Sequence, residues 1–378
     1  MTDVVVLDCG SYELGEISAR LDEGMALLGG WDRFVRPGMK VLLKVNLIGP
    51  KGPETAAVTH CEFVRALTRI LKARGCEVWI GDSAGGAIAG IAPTARGFAA
   101  AGYARVAEEE GAVLKNFERE GSVERRPADA PERGYRLAKP LFDADLVINL
   151  PKLKTHSAAV YTGAFKNLFG CVPGLKKAEY HRAAPNTHEF GSIVADINAC
   201  VRPGLHIMDG VLAMQGRGPT SGTPYEAGKL LLAIDPLALD AVAASMIGLR
   251  VEDLPIFDSA RERGLGEWRL DRIAVRGDYS TPPRLEGFEL PKAFKVGKTT
   301  GRLFDAMIAF MKRRPVIDLA ACTDCGTCVE SCPVRAIDRA TKAVDYGICI
   351  ECLCCHELCM YKAVRLKRAN RLMALLSP

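Results

Sequence analysis

The chain is 378 residues long, 48% hydrophobic and 25% charged, with a mean hydropathy of +0.06 and a net charge of +5 from 50 basic and 45 acidic residues. That composition excludes a disordered chain and a membrane-embedded one, and the length asks for one large domain with an appendage or two medium domains. The charge is too evenly balanced to suggest nucleic acid.

The start, MTDVVVLDCG, has no basic segment followed by an apolar one and does not read as a secretory signal. Apolar strand-like runs then alternate with helical periodicity. The runs are Lys40 to Leu47, Glu77 to Ile80, Leu146 to Leu150, Leu205 to Met208 and Leu230 to Ile234, with helices expected at Thr59 to Arg74 and Leu237 to Ile247. Such alternation predicts an α/β fold with a mostly parallel sheet. The Gly/Ala-rich run Gly81 to Gly90 matches neither Walker A nor G-x-G-x-x-G. A closely packed turn and a backbone cradle for an anion both stand as readings.

The most apolar long stretch, Leu230 to Leu249, holds Asp235 and Asp240 and makes a poor bilayer span. No transmembrane segment is expected, and the cytoplasm is the expected location. Proline, glycine and charge dominate Thr281 to Lys298, where a domain should end. Arg302 to Arg314 follows as a connecting helix, its apolar residues suiting an ordinary buried face better than a membrane surface. The expected division is an α/β domain over 1–285, a linker and helix over 286–314, a small α+β module over 315–368 and a basic tail over 369–378.

Nine of the fourteen cysteines lie between Cys322 and Cys359. Clustering at fixed intervals without a signal points to metal rather than disulfides. Cys322, Cys325, Cys328 and Cys332 stand as C-x2-C-x2-C-x3-C before Pro333, and Cys349, Cys352, Cys355 and Cys359 repeat the spacing. This is the bacterial ferredoxin run for two [4Fe-4S] clusters, in which three thiolates of one loop reach three irons and the fourth crosses to the other cluster. The expected sets are Cys322, Cys325, Cys328 and Cys359 for one cluster, and Cys349, Cys352, Cys355 and Cys332 for the other. Zinc is the alternative reading, since paired C-x2-C units also build zinc ribbons. Met360 replaces the proline after the second run, which is expected to alter the local turn. Cys354 adds a ninth thiol, read as a small buried residue or as a competitor of Cys355 for iron.

Outside the cysteines, polar chemistry concentrates after the strand ending at Leu150, in PKLKTH (Pro151 to His156) and TGAFKNLFG (Thr162 to Gly170). Lys152, Lys154, His156, Lys166 and Asn167 near the carboxyl end of a sheet strand would suit an anionic small molecule, with His156 as a proton carrier. Solvated loops are the bland alternative.

With KVNL at Lys44 to Leu47, DGVLAMQGRGPTSG at Asp209 to Gly222 and AIDPLALDAVA at Ala233 to Ala243, these motifs make the chain resemble the DUF362 family over nearly its whole length. Members of that family commonly end in a two-cluster ferredoxin module. Where the family usually has Lys-Pro-Asn, this chain has Lys44-Val45-Asn46. The resemblance implies an architecture without a reaction, and carries over Lys44, Asn46, Asp209, Asp235 and Asp240 as further site positions. Of these, Asp235 before Pro236 suits a helix cap, and Asp240 suits a structural place on that helix.

The sequence thus predicts an iron–sulfur protein with an α/β domain and a ferredoxin-like module, passing low-potential electrons to or from a redox protein partner or a ligand of the α/β domain. The alternative is an oxidoreductase acting on an anionic small molecule at the lysine-rich loops. Whether the chain is itself an enzyme is left open.

Overall fold

The computed structural model describes residues 1–85, 93–157, 159–174, 176–184, 186–291 and 313–368. Residues 86–90 of the Gly/Ala-rich run, 302–312 of the expected connecting helix and the tail 369–378 lie outside them.

The strands of the main domain are β1 (Thr2–Asp8), β2 (Lys40–Lys44), β3 (Glu77–Asp82), β4 (Val113–Asn116), the separate hairpin β5 (Ser122–Arg125) and β6 (Tyr135–Ala138), then β7 (Leu146–Asn149), β8 (Lys152–His156), β9 (Val160–Tyr161), β10 (Leu205–Gln215), β11 (Thr223–Ala233) and β12 (Ile273–Gly277). The helices are α1 (Leu14–Leu27), α2 (Cys61–Ala73), α3 (Thr94–Ala100), α4 (Tyr103–Glu110), α5 (Pro140–Asp143), α6 (Gly163–Asn167), α7 (Lys176–Ala183), α8 (Thr187–Val201), α9 (Pro236–Met246) and α10 (Asp258–Glu262). Ten strands form one sheet in the order β12-β1-β11-β10-β7-β2-β3-β4, with β8 and β9 branching from β10. The pairs β12/β1, β10/β7, β7/β2, β2/β3, β3/β4 and β10/β8 are parallel; β11 runs antiparallel to both neighbours, and β8/β9 is antiparallel.

Both faces of the sheet are covered. Along β1, Val4 and Val6 enter one core with Phe190, Val194, Leu239 and Val242 of α8 and α9. Val5 and Leu7 enter the other with Ile17, Leu21, Phe63 and Leu67 of α1 and α2. The period of two along the strand thus makes three layers. The expected strands appear with longer reach at β10 and β11, while the Lys40 run leaves the ladder after Lys44. β1 and β12 were not anticipated, since β1 is a short valine run whose partners lie more than two hundred residues away.

In the C-terminal module, β13 (Arg313–Ile317) pairs antiparallel with β14 (Val364–Arg368), and Ile337 bridges Val344. Short helices cover Thr327–Glu330 and Cys354–Leu358. The module touches the main domain: Lys51 Nζ donates to Met360 O at 3.4 Å.

One contact fixes the segment that matters most below. Asp240 of α9 is fully buried and accepts from Ala164 N at 2.7 Å, Phe165 N at 2.9 Å and Tyr161 Oη at 3.0 Å, capping α6 from a different helix. Gly163 takes φ 62°, and a Cβ there would overlap this carboxylate. Asp235, in contrast, caps its own helix by accepting from Leu237 N at 2.8 Å and Ala238 N at 3.1 Å.

Burial pushes the Asp240 carboxyl up to about 7 from 3.8, with the bonds from Phe165, Ala164 and Tyr161 working the other way. Between these values the folded chain holds a proton that the unfolded chain has released, so this group's contribution to stability falls as pH rises from about 4 to about 7. Asp240→Asn is expected to flatten that slope. Urea midpoints at pH 5 and pH 7.5, compared with the wild type, check it. Gly163→Ala should lose about 1 kcal/mol or more at either pH.

Candidate functional site

Three parallel strands end side by side. Register sets Lys44 of β2 against Gly81 of β3 and Asn149 of β7, and the crevice beyond such carboxyl ends is where α/β sheets bind ligands. Lys44 Nζ lies 3.0 Å from Asp82 Oδ1, both buried. Asp82 also accepts from Leu47 N at 2.8 Å and Ser83 N at 2.7 Å. Burial pushes its carboxyl up, opposed chiefly by the charges of Lys44 and Lys177. A Cβ at Gly170 would overlap Asp82 and come within 2.7 Å of Lys44 Nζ, which explains the glycine closing TGAFKNLFG.

Against this pair lies a cavity of about 110 Å³. Three lysines line it, Lys154, Lys166 and Lys177, with Asn46, Asn167 and His181. Apolar wall comes from Leu47, Ile48 and Phe169. Ser331, Cys354 and Leu358 complete the lining from the C-terminal module, so the cavity lies between the two domains.

Backbone and side-chain bonds set these groups. Lys154 Nζ and Asn46 Nδ2 both donate to Ala57 O, at 2.7 and 2.9 Å. Asn167 Nδ2 donates to Asn149 Oδ1 at 2.7 Å. Lys166 Nζ sits 5.9 Å from the Phe190 ring centre. Lys177 Nζ donates to Ser83 O at 2.7 Å, Ala84 O at 3.1 Å and Ser83 Oγ. Burial pushes its ammonium down to about 8, with Glu118 and Asp82 resisting. Those three acceptors are uncharged, and the opposing charge comes from Glu118 and Asp82.

The structure divides the residues singled out in the sequence. Asn46, Lys154, Lys166 and Asn167 line the cavity; Lys44, Lys152, His156, Asp209, Asp235 and Asp240 do not. Lys152 Nζ pairs with Asp209 Oδ2 at 2.7 Å and donates to Tyr12 Oη at 2.8 Å, while Asp209 accepts from Tyr12 Oη at 2.7 Å and His60 N at 2.8 Å. His156 is buried, and its Nδ1 accepts from Ala159 N at 3.0 Å, holding the β8–β9 turn. It does not line this cavity. Nor is PKLKTH a loop: Lys152 to His156 are strand β8, buried throughout. Lys152 stands opposite Asp209 and Lys154 opposite Met214, and this irregular register sends the two lysines to different surroundings. Lys177, His181 and Ser83 were missed. The first two lie in a polar helix without a motif, and Ser83 in the run read as a turn or an anion cradle.

In the C-terminal module, burial pushes the Cys328 thiol up to about 11, and the charges of Cys359, Cys322 and Cys325 add to this. Burial likewise raises Cys349, with Cys352 and Cys332 acting in the same direction. Thiols gathered this way stay protonated unless a cation among them favours the thiolate. A mononuclear site would set its sulfurs about 2.3 Å from one point, whereas a cube gives each sulfur its own iron. Among the described residues no group of three or more of His, Cys, Asp and Glu stands placed to hold a single metal ion or a cluster without adjustment.

The two runs fold alike. Asp324, Gly326 and Arg335 have positive φ, and so do Glu351, Leu353 and Lys362 at the equivalent places. Ala336 N donates to Cys332 Sγ at 3.2 Å, and Ala363 N to Cys359 Sγ at 3.2 Å. Met360 thus leaves the turn unaltered, contrary to expectation, because proline's φ is open to any residue.

The family described as a Domain of unknown function (DUF362) matches residues 41–245. The chain belongs to the DUF362 family. A second family, the 4Fe-4S binding domain, matches residues 315–338, which makes this DUF362 member an iron–sulfur protein. A thylakoid-associated protein of Synechocystis is 36% identical over 301 residues, covering 74% of this chain and 91% of its own. Among solved structures, the lactate racemase apoprotein from Thermoanaerobacterium thermosaccharolyticum is 12% identical with a TM-score of 0.37, covering 60% of this chain and about half, 53%, of its own. No helix among the described residues is long and apolar enough to cross a membrane.

The buried Lys152–Asp209 pair gives this DUF362 chain a stability test. Asp209→Ala should cost about 3–5 kcal/mol by leaving a buried ammonium without its counter-ion. Lys152→Met with Asp209→Leu should cost less than that single change. Urea unfolding followed by the fluorescence of Trp31, Trp79 and Trp268, all in the main domain, measures both.

Proposed function

We propose that this DUF362 protein is an iron–sulfur oxidoreductase that exchanges low-potential electrons with an anionic small molecule held between its two domains. The observation that carries the reading is the cavity itself. Lys154 and Lys166 line it from one domain, and Cys354, next to the proposed iron ligand Cys355, lines it from the other.

In this reading two [4Fe-4S] clusters are held by Cys322, Cys325, Cys328 and Cys359, and by Cys349, Cys352, Cys355 and Cys332. Bound there, such clusters take up and release electrons one at a time. Lys154, Lys166 and Lys177 supply the field for a carboxylate or phosphate, and Asn46 and Asn167 orient it. Leu47, Ile48, Phe169 and Leu358 exclude water, which strengthens those contacts. His181 replaces His156 as the group that moves a proton.

A plain electron carrier is the second reading, supported by the module's exposed Leu319, Ile348 and Tyr361. Together with the exposed Lys367 of the same module they suit docking of an acidic redox protein, which both readings require as electron source or sink. We place the protein in the cytoplasm, where reducing conditions keep its thiols available, and assign it no nucleic acid.

Protein purified without oxygen should contain about eight irons and matching sulfide, with two interacting S = 1/2 signals after dithionite. Zinc without labile sulfide would sink the assignment. Lys154→Ala with Lys166→Ala should keep the iron and weaken binding of phosphate or pyruvate by about tenfold or more, as measured by calorimetry. Unchanged binding would leave the carrier reading as the better one.

A further inference from the structure

The C-terminal module meets the main domain at a second place besides the lysine-lined cavity. In the loop after β2, Ile48 O accepts from Gly85 N at 3.1 Å, and a Cβ at Gly85 would come within 3.0 Å of Leu358 Cδ2. A small cavity of about 20 Å³ lies there, lined by Lys51 and Gly85 from one domain and by Thr327, Leu358 and Met360 from the other. Thr327 precedes Cys328, and Leu358 and Met360 flank Cys359. Both cysteines belong to one proposed set, that of Cys322, Cys325, Cys328 and Cys359. Leu358 also borders the lysine-lined cavity, but Ser331 and Cys354 beside it there are neighbours of Cys332 and Cys355, in the other set. The two sets therefore face the main domain through different residues.

Lys51 carries the charge at this contact. Its Nζ donates to Met360 O, the carbonyl next after Cys359, at 3.4 Å. Burial lowers its pKa, with the charge of Lys362 acting the same way and that of Cys359 opposing. Cations of the module itself stand with carboxylates: Lys342 Nζ lies 2.5 Å from Asp324, Arg365 2.7 Å from Asp318 and Arg314 3.1 Å from Glu351. A paired charge is largely cancelled beyond its partner, whereas Lys51 donates to a neutral carbonyl, and a charge of that kind acts on neighbours several ångströms away. We propose that Lys51, a residue of the main domain, raises the reduction potential of the cluster held by Cys322, Cys325, Cys328 and Cys359 and leaves that of the other cluster where the module sets it. The inference rests on the two-cluster reading above. An added electron makes a cluster more negative, so a fixed ammonium beside it favours the reduced form, net charge being one determinant of potential. Contact between the domains is thereby part of the redox chemistry.

The test is an EPR-monitored redox titration of the full chain, purified without oxygen, for the wild type and for Lys51→Arg, Lys51→Met and Lys51→Glu, with iron and sulfide measured first in each. Lys51→Met should lower the midpoint of one cluster by about threefold or more in its one-electron equilibrium, which is about 28 mV, and leave the other in place. Lys51→Arg should keep the wild-type value, and Lys51→Glu should lower it further. A lysine that only held the domains together would not grade with charge in this way. Midpoints that ignore Lys51→Met and Lys51→Glu while both clusters are present, a shift of both midpoints together, or Lys51→Arg moving as far as Lys51→Met would each overturn the proposal and leave the two-cluster reading standing. Zinc without labile sulfide in the wild type would overturn both.

Discussion

The grip of Asp240 on the N–H groups of Ala164 and Phe165 in the first turn of α6 is the contact on which the interdomain cavity depends. Five residues cannot hold a helix by themselves, because nucleation costs more than so few hydrogen bonds return. A buried carboxylate supplied by α9 takes the place of length. Lys166 and Asn167 project from this segment, and Phe169 and Gly170 follow it onto the Lys44–Asp82 pair. TGAFKNLFG is therefore mostly a set of steric demands: a glycine at each end where a Cβ would strike a carboxylate, two amides for Asp240 between them, and four side chains, those of Thr162, Lys166, Asn167 and Phe169, for the cavity.

The lysines of this domain divide between structure and surface chemistry by the partner each meets. Lys44 and Lys152 find carboxylates far along the chain, at Asp82 and Asp209, and become part of the core. Lys154 and Lys177 donate to backbone carbonyls and line the cavity. One residue separates Lys152 from Lys154 in sequence, and nothing local tells them apart. What separates them is the register of β8 on β10, a long-range property. The concentration of charge was legible because many cations close together are costly to bury unpaired. Their assignment to ion pair or ligand wall was not, since the deciding partners lie on other strands.

Periodicity revealed β2, β3, β7, β10 and β11 and the helices α2 and α9, but neither β4 nor β8. It missed β1 and β12, which depend on partners at the other end of the domain, and α6, which is too short to have a period. The cysteine module was the most readable part because its spacing encodes local loop geometry. Even there the sequence overvalued Pro333: the equivalent left-handed residues and N–H to sulfur contacts recur around Met360. The placement of Cys354 against the other domain could not have been read from the module alone.

The same five-residue helix also borders a second, wider cavity, of about 480 Å³. Asn167 reaches the lysine-lined one, while Phe165 lines the wider one and its carbonyl is held by Asn198. Asn149 joins the two sides, accepting from Asn167 and donating to Ala164 O and His206. Shared contacts of this kind do not by themselves make coupling. Two occupants influence each other only if α6 has two positions that they favour unequally, and the influence is then equal in both directions. The Asp240 carboxylate bears on that condition, because its protonation changes the strength of the bonds that hold α6. Near neutral pH the helix is held by a group close to its own midpoint of titration. If α6 has a second position, loss of that charge is the change within the protein most directly able to populate it.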